Sequence, residues 1–179
     1  MKIIYLLLDA ISYEDSWLNE HSKMKHLKNL SKNSLNFHNH YAVTHNTIGN
    51  VGALLSGLSP TLTHVIGRVQ CFENNKYGYL QNNLRKLNCS SHFMTPTKFF
   101  FSYKAHYKLE FDTFTKLSSS MADYRVSAEK LNEQHYFKKI ENLSSMKNYF
   151  LGLHYIDCHA PYETPISHKL INKSQFPNI

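Results

Sequence analysis

The sequence contains few cysteines, and their placement argues against a disulfide framework. Its 179 residues include 3 Cys, namely Cys71, Cys89 and Cys158, with no CxxC pair among them. An odd number of widely spaced thiols is typical neither of a disulfide scaffold nor of a zinc knuckle. Reduced thiols fit a reducing compartment, so we expect a cytoplasmic protein.

The sequence also lacks a long hydrophobic segment. The opening apolar run IIYLLL, at positions 3–8, ends at Asp9 and has no small-residue cleavage site after it. It is too short for a membrane span and does not resemble a secretory leader. A continuous apolar run of this length predicts a strand covered on both faces, at the centre of a parallel sheet.

Acidic residues are outnumbered by basic ones, 13 to 20, which gives a formal net charge of +7. This balance favours anionic partners such as nucleic acid, anionic lipid, or phosphate and sulfate esters. A general abundance of lysine in the proteome explains the charge equally well. No Lys/Arg run or helix-turn-helix pattern is present, so nucleic-acid binding is the least favoured of these functions.

Hydrophobic residues make up 42% of the chain and aromatic residues 13%, enough for a folded domain with a core. Residues 97–121 have no clear pattern. Elsewhere, apolar periodicity predicts helices at 24–33, 50–57, 79–87 and 124–142, and strands at 35–43, near 89–94 and at 148–156. The alternation predicts an α/β fold, with a mostly parallel central sheet and helices on both faces.

Two candidate functional residues stand beside these elements. Asp9 directly follows the first strand, where a carboxylate can bind a hard cation, although a turn or a helix cap is an alternative role. Thr47 opens the short helix that ends at Gly57 and Pro60. A helix N-terminus stabilises an alkoxide and holds anionic groups, although Thr47 can equally be a simple N-cap.

A third candidate segment, His154 to Tyr162, spans the end of the last predicted strand. It contains His154, Asp157 and His159, and Asp and His residues clustered after a strand suit metal or anion binding. With 12 His in the chain, chance clustering is the open alternative. We expect His154 and Asp157 to orient the loop rather than to bind a metal.

In their order and spacing, four segments resemble the sulfatase-like branch of the alkaline phosphatase superfamily. IIYLLLDA resembles the family's first strand with its metal-binding aspartate, and TIGNVGALLSGLSP resembles the helix that carries the nucleophile. LEFDTF is similar to the element that precedes the middle helix. FLGLHYIDCHAPY is similar to a later motif with a substrate-contacting histidine. The resemblance covers positions 3–165, the N-terminal part of an alkaline-phosphatase-like domain.

The resemblance implies an enzyme that hydrolyses or transfers phosphate or sulfate esters with the help of a divalent cation, Ca, Mn, Zn or Mg. Asp9 and Thr47 would bind the cation, and Thr47 would be the nucleophile. Asn50 and His159 would contact the transferred group. The substrate would be an anionic ester, carried for example by a saccharide or a lipid head group.

Three positions depart from the family pattern, and the first two, Thr47 and Val51, favour phosphate over sulfate. Thr47 stands where sulfatases carry Cys or Ser, so the formylglycine modification is impossible. Val51 replaces the arginine of the sulfatase signature, and Cys158 replaces a proline. Phosphodiester hydrolysis and phosphoethanolamine-type transfer are the reactions this pattern favours.

The sequence contains no Asp-His pair, so the family's Asp-His-Gly motif with the remaining metal ligands is missing. We therefore expect a partial sulfatase-like domain at 1–165 and a polar tail or truncated continuation at 166–179. Two protein ligands are few for a hard cation, which predicts weak or absent catalysis by this chain alone. The alternative function is a non-catalytic remnant that binds phosphorylated or other anionic ligands.

Overall fold

The computed structural model of the protein describes residues 1–12, 16, 19–20, 24–63, 80–96, 111–117 and 135–156. Within these ranges no helix is both long and apolar enough to cross a membrane. The strands are β1 (Lys2–Leu8), β2 (Ser90–Thr95), β3 (Thr113–Lys116) and β4 (Tyr149–Tyr155). The helices are α1 (Lys25–Ser31), α2 (Thr47–Ser56), α3 (Pro60–Thr63), α4 (Leu80–Lys86) and α5 (Phe137–Ser144).

The four strands form one sheet in the order β1-β4-β2-β3, and each neighbouring pair is parallel. β1 pairs with β4 over its whole length, from Lys2 opposite Tyr149 to Leu8 opposite Tyr155. The α/β class and the parallel sheet predicted from the sequence are therefore confirmed. Because all strands run the same way, their carboxyl ends share one edge, where α/β proteins bind ligands.

Helices cover both faces of this sheet, as predicted, because each face carries its own apolar cluster. One cluster brings α2 and α4 against β2 and β4, and its buried members include Val51, Leu55, Leu84, Phe93 and Phe150. The other brings α5 against the opposite side of the same strands, through Leu143, Met94, Leu151 and Leu153. The alternation of side chains along each strand decides which residues face which helix.

Gly152 allows a close approach of an aromatic ring on the α2 face of the sheet. A Cβ atom at this position would lie 2.3 Å from Cδ2 of Phe93, which is buried in the neighbouring strand. The Phe93 ring also packs against Phe111 and Phe114, with ring centroids 5.4 Å away in each case. The close packing of the Phe93 ring explains why a glycine stands inside this strand. The same packing keeps β2 and β4 close together just before their carboxyl ends.

Most of the predicted elements are found with shifted ends, but two predictions need correction: the strand at 35–43 and the central position of β1. Residues 35–43 contain no strand, and the alternating Leu35 and Phe37 are 87% and 75% exposed, because none of the described strands pairs with this segment. β3 lies within the segment that showed no clear pattern. Of the helix predicted at 124–142, only residues 135–142 are described; α5 begins at Phe137 and continues to Ser144.

The placement of β1 at the centre of the sheet is also wrong for the part of the chain that the structure describes. β1 is an edge strand, and its Ile4 and Leu6 are 46% and 44% exposed. Its other face, with Ile3, Tyr5 and Leu7, packs against the α2-side cluster. An apolar run shows that a strand is hydrophobic, but the order of strands decides which of its faces are covered.

Candidate active site

Asp9 is held at the carboxyl end of β1 by the strand ladder itself. Its backbone N–H donates to the carbonyl oxygen of Tyr155 at 2.9 Å, so the β1–β4 pairing continues one residue past the strand. The next residue, Ala10, has a φ of 59°, in the left-handed region that a non-glycine residue adopts at a cost of about 1–2 kcal/mol. The chain therefore turns sharply directly after the carboxylate.

The helix cap of α2 is Asn46 rather than Thr47. The Asn46 side chain accepts a hydrogen bond from the backbone N–H of Gly49 at 2.8 Å, with the extended backbone usual for a cap. Thr47 is the first residue of the helix, and Gly57 ends it with a φ of 71°. Because Asn46 serves as the cap, the hydroxyl of Thr47 is available for another contact.

That contact is with Asp9, 38 positions earlier in the chain. Thr47 Oγ1 donates towards the Asp9 carboxylate and lies 3.3 Å from Oδ1 and 3.2 Å from Oδ2. Leu7, two residues before Asp9, packs in the α2-side cluster, so Asp9 also projects from the α2 face. The structure thus brings together the two side chains that the sequence analysis assigned to one site.

Removing the cap provides a test of how α2 is held. We expect Asn46→Ala to lower the free energy of unfolding by about 1 kcal/mol, because Gly49 N–H loses its acceptor. For a chain of this length the melting temperature would fall by about 2–4 °C. Asn46→Asp keeps the acceptor and is the matched control in thermal melts. Equal losses in both variants would show that the cap is not the stabilising feature.

Asn50 uses its side-chain amide to shape the loop that leads to Thr47. Its Oδ1 accepts from the backbone N–H groups of Val43 and Thr44, at 3.0 and 3.4 Å. Its Nδ2 donates to the carbonyl oxygens of Thr44 and Asn46, at 2.7 and 2.9 Å. The contact with a transferred group assigned to Asn50 stays a prediction, and it requires one of these bonds to be exchanged.

A buried histidine lies on the other side of Asp9. His154 Nε2 is 3.4 Å from Asp9 Oδ2, and the His154 side chain is 1% exposed whereas that of Asp9 is 18% exposed. Its other ring nitrogen, Nδ1, is 2.9 Å from the hydroxyl of Thr95, at the end of β2. Sequence reasoning gave His154 only a loop-orienting role and Thr95 none. The signal it left unused is that both residues lie close to the carboxyl ends of predicted strands.

An open cleft of about 500 Å³ lies beside the Asp9 carboxylate and the Thr47 hydroxyl. Asp9, Thr47 and Asn46 line it together with His45, an exposed imidazole, and Tyr5. Burial raises the pKa of the Tyr5 hydroxyl above its usual range, so Tyr5 is neutral at neutral pH. Tyr5 can therefore donate a hydrogen bond but contributes no negative charge to the cleft wall.

The donor atoms of Asp9 and Thr47 fit a hard cation as part of its coordination shell. Neighbouring oxygens around Mg²⁺ or Ca²⁺ are about 2.8–3.7 Å apart, as follows from metal–oxygen distances of about 2.0–2.6 Å. The hydroxyl and carboxylate oxygens, at 3.2 and 3.3 Å, match this spacing. Among the described ranges no group of three or more His, Cys, Asp or Glu side chains is suited to hold a metal. The remaining ligands would be water, substrate or donors outside those ranges.

Asp157, Cys158 and His159 lie outside the described residues, so the substrate contact assigned to His159 stays a prediction.

In a comparison with known protein families, the Sulfatase family matches residues 2–175, nearly the whole chain. A search of curated proteins found no match.

Proposed function

The chain belongs to the sulfatase family, and from this premise we propose that it hydrolyses or transfers phosphate esters with Thr47 as the nucleophile. The family consists of sulfatase-like hydrolases that typically bind a divalent metal. The observation that carries the proposal is the approach of the Thr47 hydroxyl to the Asp9 carboxylate within 3.3 Å, at the carboxyl edge of a parallel sheet.

The environment of Thr47 favours its reaction as an alkoxide. It is the first residue of a ten-residue helix, whose positive end stabilises negative charge on the hydroxyl oxygen and on an incoming phosphate. A divalent cation bound by Asp9 and Thr47 would supply the Lewis acidity that favours the same ionised form. The net charge of +7 attracts an anionic ester to the cleft.

The proposed reaction has two displacement steps at phosphorus. Thr47 Oγ1 attacks in line, the Oγ–P bond forms, and the bond from phosphorus to the leaving oxygen breaks with its electron pair on that oxygen. The hydroxyl proton passes to water in the open cleft, and the leaving oxygen takes a proton from His159 or from water. Water or a second alcohol then displaces Thr47 from phosphorus, which restores the hydroxyl.

The preference for phosphate over sulfate esters rests on two residue types in α2. A threonine carries a hydroxyl on a branched carbon and cannot be converted to the aldehyde that sulfate hydrolysis uses in this family. Val51, buried at 4% exposure in the apolar cluster, provides no cation for a sulfate group. A saccharide or a lipid head group is the kind of alcohol we propose for the substrate ester.

An assay with generic substrates tests the proposal. The chain is incubated with an aryl phosphodiester, an aryl phosphomonoester or an aryl sulfate, each with Mn²⁺, Zn²⁺, Mg²⁺ or Ca²⁺. Because two protein ligands hold a hard cation weakly, we expect slow but metal-dependent release of the phenol from a phosphate ester. Release from the sulfate should be at least tenfold slower. A faster reaction with the sulfate would contradict the phosphate assignment.

A second candidate function is binding of anionic ligands without turnover. It is favoured by the small number of metal-ligating side chains among the described ranges. In the same assay this function predicts no phenol release with any metal. Calorimetry would then show binding of inorganic phosphate that weakens at high salt.

A further inference from the structure

We propose that His154, oriented by Thr95, is a positioning residue that holds the Asp9 carboxylate where it meets Thr47. The four side chains form a continuous line across one face of the fold, from β2 through β4 and β1 to α2. The successive contacts are 2.9 Å from Thr95 to His154, 3.4 Å from His154 to Asp9, and 3.2 Å from Asp9 to Thr47. The inference deepens the proposed function and rests on it for its catalytic meaning.

The register of the sheet explains why these side chains meet. His154 lies opposite Leu7, and the β2–β4 pairing that places Met94 opposite Leu153 brings Thr95 next to His154. Phe150, Gly152 and His154 alternate along β4 onto the same face, the one that α2 covers. The contact between His154 and Asp9 therefore depends on rigid strand pairing and not on a loop.

The backbone of His154 is fixed as well as its ring. Tyr136, which is fully buried, donates from its hydroxyl to the carbonyl oxygen of His154 at 2.6 Å. On the Asp9 side, the N–H of Asp9 donates to the next carbonyl of β4, that of Tyr155. Both partners are thus anchored to the same strand, which limits the positions that the carboxylate can take.

One tautomer of the His154 ring can serve both Asp9 and Thr95. An ionised carboxylate can only accept, so a hydrogen on Nε2 would point towards Asp9 Oδ2 at 3.4 Å. In a neutral imidazole Nδ1 is then an acceptor, and the Thr95 hydroxyl donates to it. Without that hydroxyl Nδ1 loses its partner, and the ring is held on the Asp9 side only.

Burying the polar ring of His154 costs free energy, and an apolar side chain with only a packing role would not have this cost. An apolar side chain can be buried on the same face of this strand without such a cost, as Phe150 shows at 4% exposure. A histidine placed between a carboxylate and a hydroxyl instead provides a directed contact. Outer partners of this kind orient metal-binding carboxylates in other proteins.

Two pairs of substitutions separate positioning from mere packing. The amide of glutamine reaches the place of Nε2, whereas the amide of asparagine reaches only that of Nδ1. We expect His154→Asn to weaken Mn²⁺ binding, measured by calorimetry, by about 10–100-fold. We expect His154→Gln to remain within about threefold of the unmodified chain. Likewise, Thr95→Val should weaken binding severalfold, whereas Thr95→Ser should not.

Crystal structures of the same variants give a readout that needs neither metal nor substrate. In His154→Asn we expect the Asp9 carboxylate to move beyond hydrogen-bond distance of Thr47 Oγ1, while in His154→Gln it stays. An unmoved carboxylate in both His154→Asn and Thr95→Val, with unchanged Mn²⁺ binding, would overturn the proposal. If instead the phosphoester assay fails while these differences are found, the proposed function is wrong and the positioning role stands.

Discussion

Replacing Thr47 with alanine is expected to reduce turnover of a phosphate ester by about a thousandfold or more, because the attacking oxygen is removed. The covalent adduct on residue 47, detected by mass spectrometry after acid quenching, should disappear with it. Alanine has the highest helix propensity, and Asn46 still caps α2, so the fold should be preserved. The measurement is initial rate against substrate concentration at saturating metal.

The matched control for this prediction is Thr47→Ser, which keeps the hydroxyl and removes only a methyl group. It should retain measurable turnover and form the adduct. If Thr47→Ala keeps the turnover of the unmodified chain, the nucleophile lies elsewhere. The proximity of Thr47 to Asp9 would then have only a structural meaning.

Replacing Asp9 with asparagine is expected to weaken divalent-cation binding more strongly than loss of an outer partner, which typically costs about 10–100-fold. The substitution keeps the size of the side chain but removes the negative charge and one oxygen ligand. Calorimetric titration of Mn²⁺ into the chain measures the change directly. Turnover should fall in parallel, because in the proposed mechanism a bound cation would favour the ionised form of the Thr47 hydroxyl.

A carboxylate far from the cleft provides the comparison for Asp9→Asn. Glu141 is exposed on α5, which packs on the opposite face of the sheet, so Glu141→Gln changes the net charge equally without touching the site. We expect it to bind Mn²⁺ as the unmodified chain does. Equal weakening in both variants would mean that binding responds to overall charge and not to a site at Asp9.

The strands and helices that carry the candidate site were predictable because each has a strong local pattern. β1 contains a continuous apolar run, β4 is mostly apolar and aromatic, and α2 is followed by the glycine and proline that commonly end helices. The strand prediction for 35–43 was wrong because alternating apolar residues form a strand only where a neighbouring strand pairs with them. A local pattern contains no information on whether a partner strand is available.

The sequence by itself determined the class of the fold, the family, and the placement of Asp9 and Thr47 after a strand and at a helix start. Those are local properties, set by hydrophobic spacing and by the order of short motifs. Only the tertiary structure decided that β1 lies at the edge of the sheet formed by the described strands, that Asn46 caps α2, and that a buried histidine and threonine line up behind Asp9. These depend on strand order and register, which bring side chains from positions far apart in the chain within hydrogen-bond distance.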